Sequence, residues 1–196
     1  QLFGSPVNRA LLNVFFLQDR NKKGSGIRAE ARKIASAGVV GAGTMGQGIA
    51  AANVKRGILT AIMDSSQAAL QRGLKGVLNE ISYNKQLKGP DAQRLVEFAP
   101  LVNGTLSDIE LCRSDIVIEA IFENPEVKQH LFARLEPLMR DDAILASNTS
   151  TIPISKLAEG LERPERFCGL HFFNPVPVMQ LVELIKAAIA HKGAAF

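Results

Sequence analysis

One stretch, residues 37–64, constrains the fold of this chain more than any other. An apolar run, Ala37-Gly38-Val39-Val40, leads into the glycine-rich sequence Gly41-Ala42-Gly43-Thr44-Met45-Gly46, which is followed by residues compatible with a helix. A second apolar run, residues 58–63, ends in Asp64. A bare GxGxxG pattern is weak evidence, but a preceding strand, a following helix and an acid after the next strand are the context that a dinucleotide-binding unit requires.

Each residue type in this stretch suits a particular task. Gly41 permits a sharp turn out of the strand, Gly43 lets backbone approach a pyrophosphate, and Gly46 lets the helix lie close to the sheet. The helix N-terminus offers N–H groups and the positive end of a dipole to that pyrophosphate. The carboxylate of Asp64 can accept a hydrogen bond from a ribose 2′-OH and would repel a 2′-phosphate, which predicts NAD rather than NADP. The weaker interpretation is a tight strand–helix turn without a ligand.

Apolar segments alternate with helical ones through the rest of the chain. Helical spacing of apolar residues predicts a helix from Ser65 or Ser66 to about Lys88. Further helices are predicted at 6–18, 91–98, 125–138 and 153–157, and strands at 100–102, 115–122, 143–146, 167–173 and 180–185, with 105–114 unassigned. This alternation predicts an α/β fold of the Rossmann type, a doubly wound, mostly parallel sheet with flanking helices.

In such a sheet, ligands bind beyond the carboxyl ends of the strands. The glycine loop at 41–46, Asp64, and the segments 122–124 and 147–150 all follow predicted strands. We therefore expect them to converge on one crevice. The hydroxyl side chains of 147–150 alone are typical of turns and caps, and they gain interest only from this position.

Among the histidines, His171 stands out. His130 is expected on a solvated helix surface and His191 lies in the tail, whereas His171 lies among large apolar residues at a strand end. Glu183 is the only acid of residues 178–185, and an acid in an apolar strand is costly unless it is paired. A His–Glu pair would fix the imidazole tautomer and raise its basicity. From the residues alone, a catalytic pair and a purely structural pair stay equally open.

Composition excludes several functional classes. The net charge of +4 is spread without a basic tract, so nucleic-acid binding is not indicated. Cys112 and Cys168 lack metal-ligand spacing, so neither a metal site nor a disulfide framework is predicted. No apolar run approaches the ~20 residues of a membrane span, and the given sequence shows no signal-peptide pattern. A cytoplasmic (bacterial) or organellar-matrix location is therefore expected, not secretion.

Four separated motifs resemble the L-3-hydroxyacyl-CoA dehydrogenase family, with a likeness covering roughly residues 33 to 186. They are Gly41-Ala42-Gly43-Thr44-Met45-Gly46, Ile118-Glu119-Ala120-Ile121-Phe122-Glu123-Asn124, Ser147-Asn148-Thr149-Ser150, and Gly169-Leu170-His171-Phe172-Phe173-Asn174-Pro175-Val176-Pro177-Val178-Met179. The lead-in, from Ser5-Pro6 to Lys22-Lys23, also resembles the linker between the hydratase and dehydrogenase parts of multifunctional fatty-acid oxidation proteins of the α-subunit type.

The resemblance implies roles for individual residues. His171 would be the general base that takes the proton from the substrate 3-hydroxyl, Glu183 would orient it, and Ser150 would hydrogen-bond the substrate oxygen. Besides the loop glycines, the residues implied to lie along the cofactor are Thr44, Met45, Asp64, Glu123, Lys128 and Asn174. From the residues alone, Lys128 is an ordinary helix-surface lysine. The implied substrate is an acyl-CoA. Lys75, Lys85 and Lys88 are possible contacts for its phosphates, but as helix lysines they are weak evidence for such a site.

The expected organisation is a lead-in helix and linker at 1–32, an NAD-binding Rossmann domain at 33–186, and a tail at 187–196. The family's C-terminal helical domain is expected to be absent, and a homo-oligomer or a larger oxidation complex is expected for a full-length protein. Two alternatives stay open. One is a dehydrogenase of a related 3-hydroxy acid, and the other is an NAD-binding or interaction module without turnover.

Overall fold

The computed structural model describes residues 5–23 and 32–187, which fall into two units divided between Lys33 and Ile34. The first unit contains helix α1 (Pro6–Lys23), whose Leu11, Leu12, Phe15 and Phe16 are exposed. The prediction of a loop beginning at Asp19 is wrong for Asp19 to Lys23, which are helical. No glycine or proline interrupts the helix before Gly24. The rest of that loop and the tail from residue 188 lie outside the described residues.

The second unit is built on a seven-stranded sheet. In chain order, its described strands and those of a small ribbon are β1 (Ser36–Val40), β2 (Leu59–Met63), β3 (Tyr83–Asn84), β4 (Gly89–Pro90), β5 (Val102–Thr105), β6 (Ile116–Glu119), β7 (Ile144–Ser147), β8 (Phe167–Phe172) and β9 (Val182–Lys186). The order across the sheet is β5-β2-β1-β6-β7-β8-β9. All neighbours are parallel except β8 and β9, which confirms the predicted Rossmann-type sheet.

Helices cover both faces of this sheet. The described helices after α1 are α2 (Thr44–Val54), α3 (Gln67–Ser82), α4 (Ala92–Phe98), α5 (Asp108–Leu111), α6 (Pro125–Leu135) and α7 (Ile154–Leu157). One core cluster joins α2 and α3 to the sheet, and another joins α6 and α7 to it. Adjacent strand residues divide between the two clusters, as Val39 and Val40 do. This division is the period-2 alternation of a strand buried on both sides.

Several predicted boundaries are wrong. The strand predicted at 100–102 is a 3-10 helix at Ala99–Leu101 followed by β5, which extends to Thr105. Helix α3 ends at Ser82 instead of Lys88, because Tyr83-Asn84 pairs antiparallel with Gly89-Pro90. Strand β6 ends at Glu119 instead of Phe122, and its neighbour β7 pairs with it only up to Ser147. The chain therefore leaves the sheet earlier than the apolar run suggests, and Phe122 is exposed at the carboxyl edge.

The last strand also departs from the expectation of a buried segment. β9 is an antiparallel edge strand whose residues are all exposed, so Glu183 lies in an accessible strand instead of an apolar interior. Among the described helices, none combines the length and apolar character that a membrane crossing demands.

Candidate cofactor and active site

The glycine loop between β1 and α2 has the shape that its sequence predicts. Gly41 has a positive φ of 99°, and a Cβ there would lie 2.6 Å from the carbonyl oxygen of Ala120. A Cβ at Gly46 would lie 1.7 Å from the carbonyl oxygen of Gly41. At Gly43, by contrast, a Cβ would meet no atom within 4 Å. Two glycines are therefore required by close packing, while the third leaves its backbone open to a ligand.

Asp64, at the end of β2, is bonded to the same loop. Its Oδ2 accepts a hydrogen bond from Ala42 N at 2.8 Å, and its Oδ1 accepts one from Ser65 N at 2.7 Å. A carboxylate has about four lone-pair positions, so these bonds leave capacity for a ribose hydroxyl. Asp64 thus shapes the loop in addition to the predicted contact with a cofactor.

The glycine loop and Asp64 open into a cavity of about 860 Å³. Its lining includes Phe122, from the segment expected there, and also residues that carry no such signal in the sequence: Leu106, Asp108, Val127, His130 and Arg134. Arg134 Nε lies 3.0 Å from Asp108 Oδ2, so a surface ion pair closes one side. The volume, the open backbone at Gly43 and the acid at the β2 end fit the adenosine and pyrophosphate parts of NAD.

A buried charge cluster lies between β6 and α6. The Lys128 side chain is only 1% exposed, and its Nζ lies 2.7 Å from Glu119 Oε1 and 3.0 Å from Glu123 Oε2. Glu119, which is 0% exposed, also accepts hydrogen bonds from Ser147 Oγ at 2.6 Å and Ile121 N at 2.7 Å. The interpretation of Lys128 as a helix-surface lysine is therefore wrong. Lys128 is instead buried and paired with Glu119 and Glu123, and none of the three lines the cavity at the glycine loop.

Glu123 connects this cluster to the turn that carries Ser150. Its Oε1 accepts hydrogen bonds from the hydroxyl groups of Thr149 and Thr151 and from Ser150 N, the last at 3.2 Å. Burial acts to raise the pKa of Glu123, but the hydrogen bonds from Thr149 and Lys128 outweigh it and lower the pKa to about 2. Glu123 is therefore a carboxylate at neutral pH, and it holds the Ser150 turn against β6.

His171 and Glu183 lie opposite each other on β8 and β9. Nδ1 of His171 lies 2.8 Å from Glu183 Oε2, and the imidazole packs on Phe173 with ring centroids 4.5 Å apart. The His171 side chain is 17% exposed and that of Glu183 is 49% exposed. Since Nδ1 is engaged by the carboxylate, Nε2 is the nitrogen left to exchange a proton with a substrate.

Packing also brings the end of β8 to the glycine-loop helix. Val176 is buried in the cluster that contains α2, and a Cβ at Gly48 would lie 2.8 Å from its Cβ. This packing holds the segment with Asn174 beside α2, where Asn174 is exposed. Ser150 and Thr44 are exposed as well, and Met45 is half-buried.

The lining of the glycine-loop cavity includes none of Ser150, His171, Glu183 and Asn174, and neither cysteine belongs to it. Both cysteines are free thiols whose pKa is raised to about 11 by burial. Within residues 5–23 and 32–187, no group of three acidic, histidine or cysteine side chains could hold a metal ion. His191 lies outside those ranges.

Residues 36–194 match the model of the family described as 3-hydroxyacyl-CoA dehydrogenase, NAD binding domain. The chain is 41% identical to the fatty acid oxidation complex subunit alpha of Idiomarina loihiensis over 87% of its own length. In fold, it is similar to (S)-3-hydroxybutyryl-CoA dehydrogenase from Ralstonia eutropha, with a TM-score of 0.74, 40% identity and 80% of the chain covered. It is also similar to 3-hydroxybutyryl-CoA dehydrogenase from Escherichia coli, with a TM-score of 0.73, 35% identity and 78% covered.

All of these relatives are longer than the present chain. It spans 24% of the Idiomarina protein, 55% of the Ralstonia chain and 32% of the Escherichia chain.

Proposed function

Since the chain belongs to the 3-hydroxyacyl-CoA dehydrogenase family through its NAD-binding domain, we propose that it binds NAD at the glycine loop and takes part in the oxidation of L-3-hydroxyacyl-CoA to 3-ketoacyl-CoA. The observation that carries this proposal is the His171–Glu183 pair, with Nδ1 and Oε2 2.8 Å apart, in the unit that also holds the open glycine loop. A glycine loop alone would support only cofactor binding. The added pair supplies a proton acceptor for a hydroxyl group.

The cofactor would be held by the chain's own backbone and by one acid. The open backbone at Gly43 and the N-terminus of α2 would bind the pyrophosphate, and Asp64 would bind the adenosine ribose. The residues proposed to lie along the cofactor are Thr44, Met45, Glu123 and Asn174. Lys128 would act indirectly, by its ion pair with Glu123, which keeps that carboxylate ionised. When bound, NAD accepts the hydride that leaves C3 of the substrate.

Proton transfer would be the task of His171. Its Nδ1–H donates to Glu183, which leaves Nε2 with a free lone pair for the proton of the substrate 3-hydroxyl. The carboxylate of Glu183 stabilises the imidazolium that forms, much as an acid orients the histidine of a hydrolase triad. Ser150, on the turn held by Glu123, would donate a hydrogen bond to the same substrate oxygen.

The substrate class and the setting are supported by the relatives. One relative is a subunit of a fatty acid oxidation complex, and two others act, by name, on 3-hydroxybutyryl-CoA. A 3-hydroxyacyl-CoA in β-oxidation is therefore the proposed substrate. We further propose that the whole protein works as a homo-oligomer or in an oxidation complex, in the cytoplasm of a bacterium or in an organellar matrix. The domain limits 1–32, 33–186 and 187–196 remain part of this proposal.

A second candidate function is NAD binding without turnover. It is favoured by the exposure of Glu183 and of the apolar residues of β9, since a catalytic pair works best where water is excluded. Under this alternative, the chain would bind NADH but would not support the reduction of acetoacetyl-CoA in any context.

The test is NADH oxidation with acetoacetyl-CoA, measured with the chain alone and with the whole protein. We expect His171→Ala to lower kcat in the whole protein on the order of 100- to 10,000-fold, the usual contribution of general acid–base catalysis. NADH affinity should stay within about twofold, because His171 does not line the cavity at the glycine loop. Retained turnover in His171→Ala would refute the assignment of the base.

A further inference from the structure

Asn148 lies at the point where two neighbouring strands stop pairing. It directly follows β7, whose pairing with β8 ends at Ser147 and Gly169. Its backbone N–H donates to the carbonyl oxygen of Glu119 at 2.8 Å, which continues the contact with β6. Its side chain Oδ1 accepts a hydrogen bond from Phe172 N, also at 2.8 Å. A side chain therefore extends the sheet where no backbone of β7 remains to do so.

This hydrogen bond holds the strand end that carries the proposed base. His171 immediately precedes Phe172, and on the opposite side of β8 it pairs with Glu183 of β9. β9 is an exposed edge strand and provides a less rigid support than an interior strand. The interior support for the end of β8 thus comes from the side chain of Asn148.

The same residue begins the turn that carries Ser150. Glu123 binds that turn at Thr149, Ser150 and Thr151, so the turn is fixed to the buried charge cluster. Asn148 consequently joins two separately supported elements, one with Ser150 and the other with His171. In the proposed reaction, both side chains contact one substrate oxygen, and catalytic geometry tolerates displacements of only about 0.5 Å.

We propose that Asn148 is a positioning residue, which sets the spacing between Ser150 and His171 through its Oδ1–Phe172 N hydrogen bond. The inference rests on the proposed function of those two residues. It assigns to Asn148 no contact with substrate or cofactor, and only its acceptor oxygen is used. An aspartate, which keeps that oxygen, should therefore replace it, whereas a leucine of similar size should not.

The experiment compares Asn148→Asp and Asn148→Leu in the whole protein, by steady-state reduction of acetoacetyl-CoA with NADH. A misplacement of about 1 Å can cost on the order of 100-fold in rate. We therefore expect Asn148→Leu to lower kcat about 10- to 100-fold, and Asn148→Asp to keep kcat within about threefold. The Kd for NADH should stay within about twofold in both variants.

A matched control is Asn84→Leu. Asn84 Oδ1 also accepts a backbone hydrogen bond, from Gln86 N at 2.9 Å, but it lies in the β3–β4 ribbon. We expect this variant to lose some stability and to keep its kcat. Should Asn148→Leu fail to fold, Asn148→Ser, whose shorter hydroxyl does not reach Phe172 N, takes its place with the same expected loss of kcat.

Two results would overturn the inference. One is an unchanged kcat in Asn148→Leu with only a lower melting temperature, since that result indicates a purely structural role. The other is an equal loss of kcat in Asn148→Asp and Asn148→Leu, since the acceptor oxygen would then be irrelevant. Failure of the proposed function itself is recognised separately, because the unaltered protein would lack turnover or His171→Ala would retain it.

Discussion

Replacing Lys128 with methionine is expected to destabilise the domain strongly. The substitution keeps the length and the apolar stem of the side chain but removes the ammonium group. Glu119, which is 0% exposed, then loses the cation that contacts both of its carboxylate oxygens at 2.7 and 2.8 Å. Glu123 loses the same cation at 3.0 Å. Two carboxylates are left together without a counter-ion, and one of them is fully buried.

The expected loss follows from the cost of stranding a buried charge. Removing one partner of a buried ion pair typically costs about 3–5 kcal/mol. Ser147 Oγ and Ile121 N still donate to Glu119 in the variant, so we expect about 3 kcal/mol, the lower end of this range. With a urea m-value of about 2 kcal/mol/M, this corresponds to a midpoint lower by about 1.5 M.

The measurement is urea unfolding at pH 7 followed by far-ultraviolet circular dichroism. Lys75→Met, on the exposed surface of α3, is the matched control and should change the free energy of unfolding by less than about 0.5 kcal/mol. The double variant Lys128→Met with Glu119→Gln should lose less than the sum of the two single variants, because the stranded charge is gone. A Lys128→Met variant no less stable than the Lys75→Met control would show that the buried cluster has been misread.

Two further predictions concern the helix behind the glycine loop and the response to acid. A Cβ at Gly73 of α3 would lie 2.3 Å from Ala42 Cβ, so Gly73→Ala should displace α3 from the loop. We expect this variant to lose about 1–3 kcal/mol of stability and to bind NADH more weakly. The control is Gly89→Ala, whose Cβ would meet only a carbonyl oxygen at 3.8 Å and which should change neither stability nor affinity. Calorimetric titration of the two variants checks this, and equal affinities would contradict it. Because the pKa of Glu123 is lowered to about 2 from 4.5, folding is favoured by its ionised form above about pH 4.5, and this stabilisation is lost as the pH falls from there towards 2. Urea midpoints measured over this interval should fall less steeply in Glu123→Gln than in the unaltered chain, and parallel slopes would argue against the assignment.

The fold was largely predictable because its signals are local. The glycine fingerprint, the apolar runs and the helical periodicities each occupy a short segment, and their alternation leaves few topologies. The family predicted from the four motifs is likewise confirmed by the match over residues 36–194. Element ends were less predictable. Helix α3 stops at Ser82 because of the ribbon that follows, and periodicity within the helix contains no information about such pairing.

The candidate site was predictable where its residues interrupt a pattern, as His171 and Glu183 do. From the residues alone Lys128 was not, because on α6 it resembles any other helix lysine, and only the family resemblance singled it out. Its burial depends on Glu119, an acid of a different element, and only the packing of α6 on β6 brings them together. Glu119 itself stands out in the sequence as an acid inside an apolar run. A buried acid requires a partner, and this requirement is the one signal that could have pointed to Lys128. Arg134 carries no comparable signal in the sequence.

The NAD site assigned to this chain is formed by the glycine loop and Asp64. The most direct measurement is calorimetric titration of the chain with NADH and, separately, with NADPH, repeated for Asp64→Ala. We expect NADH to bind in preference to NADPH, and Asp64→Ala to weaken NADH binding and to reduce the discrimination between the two. No binding of either dinucleotide, or equal binding of both that Asp64→Ala leaves unchanged, would contradict the assignment of this NAD site.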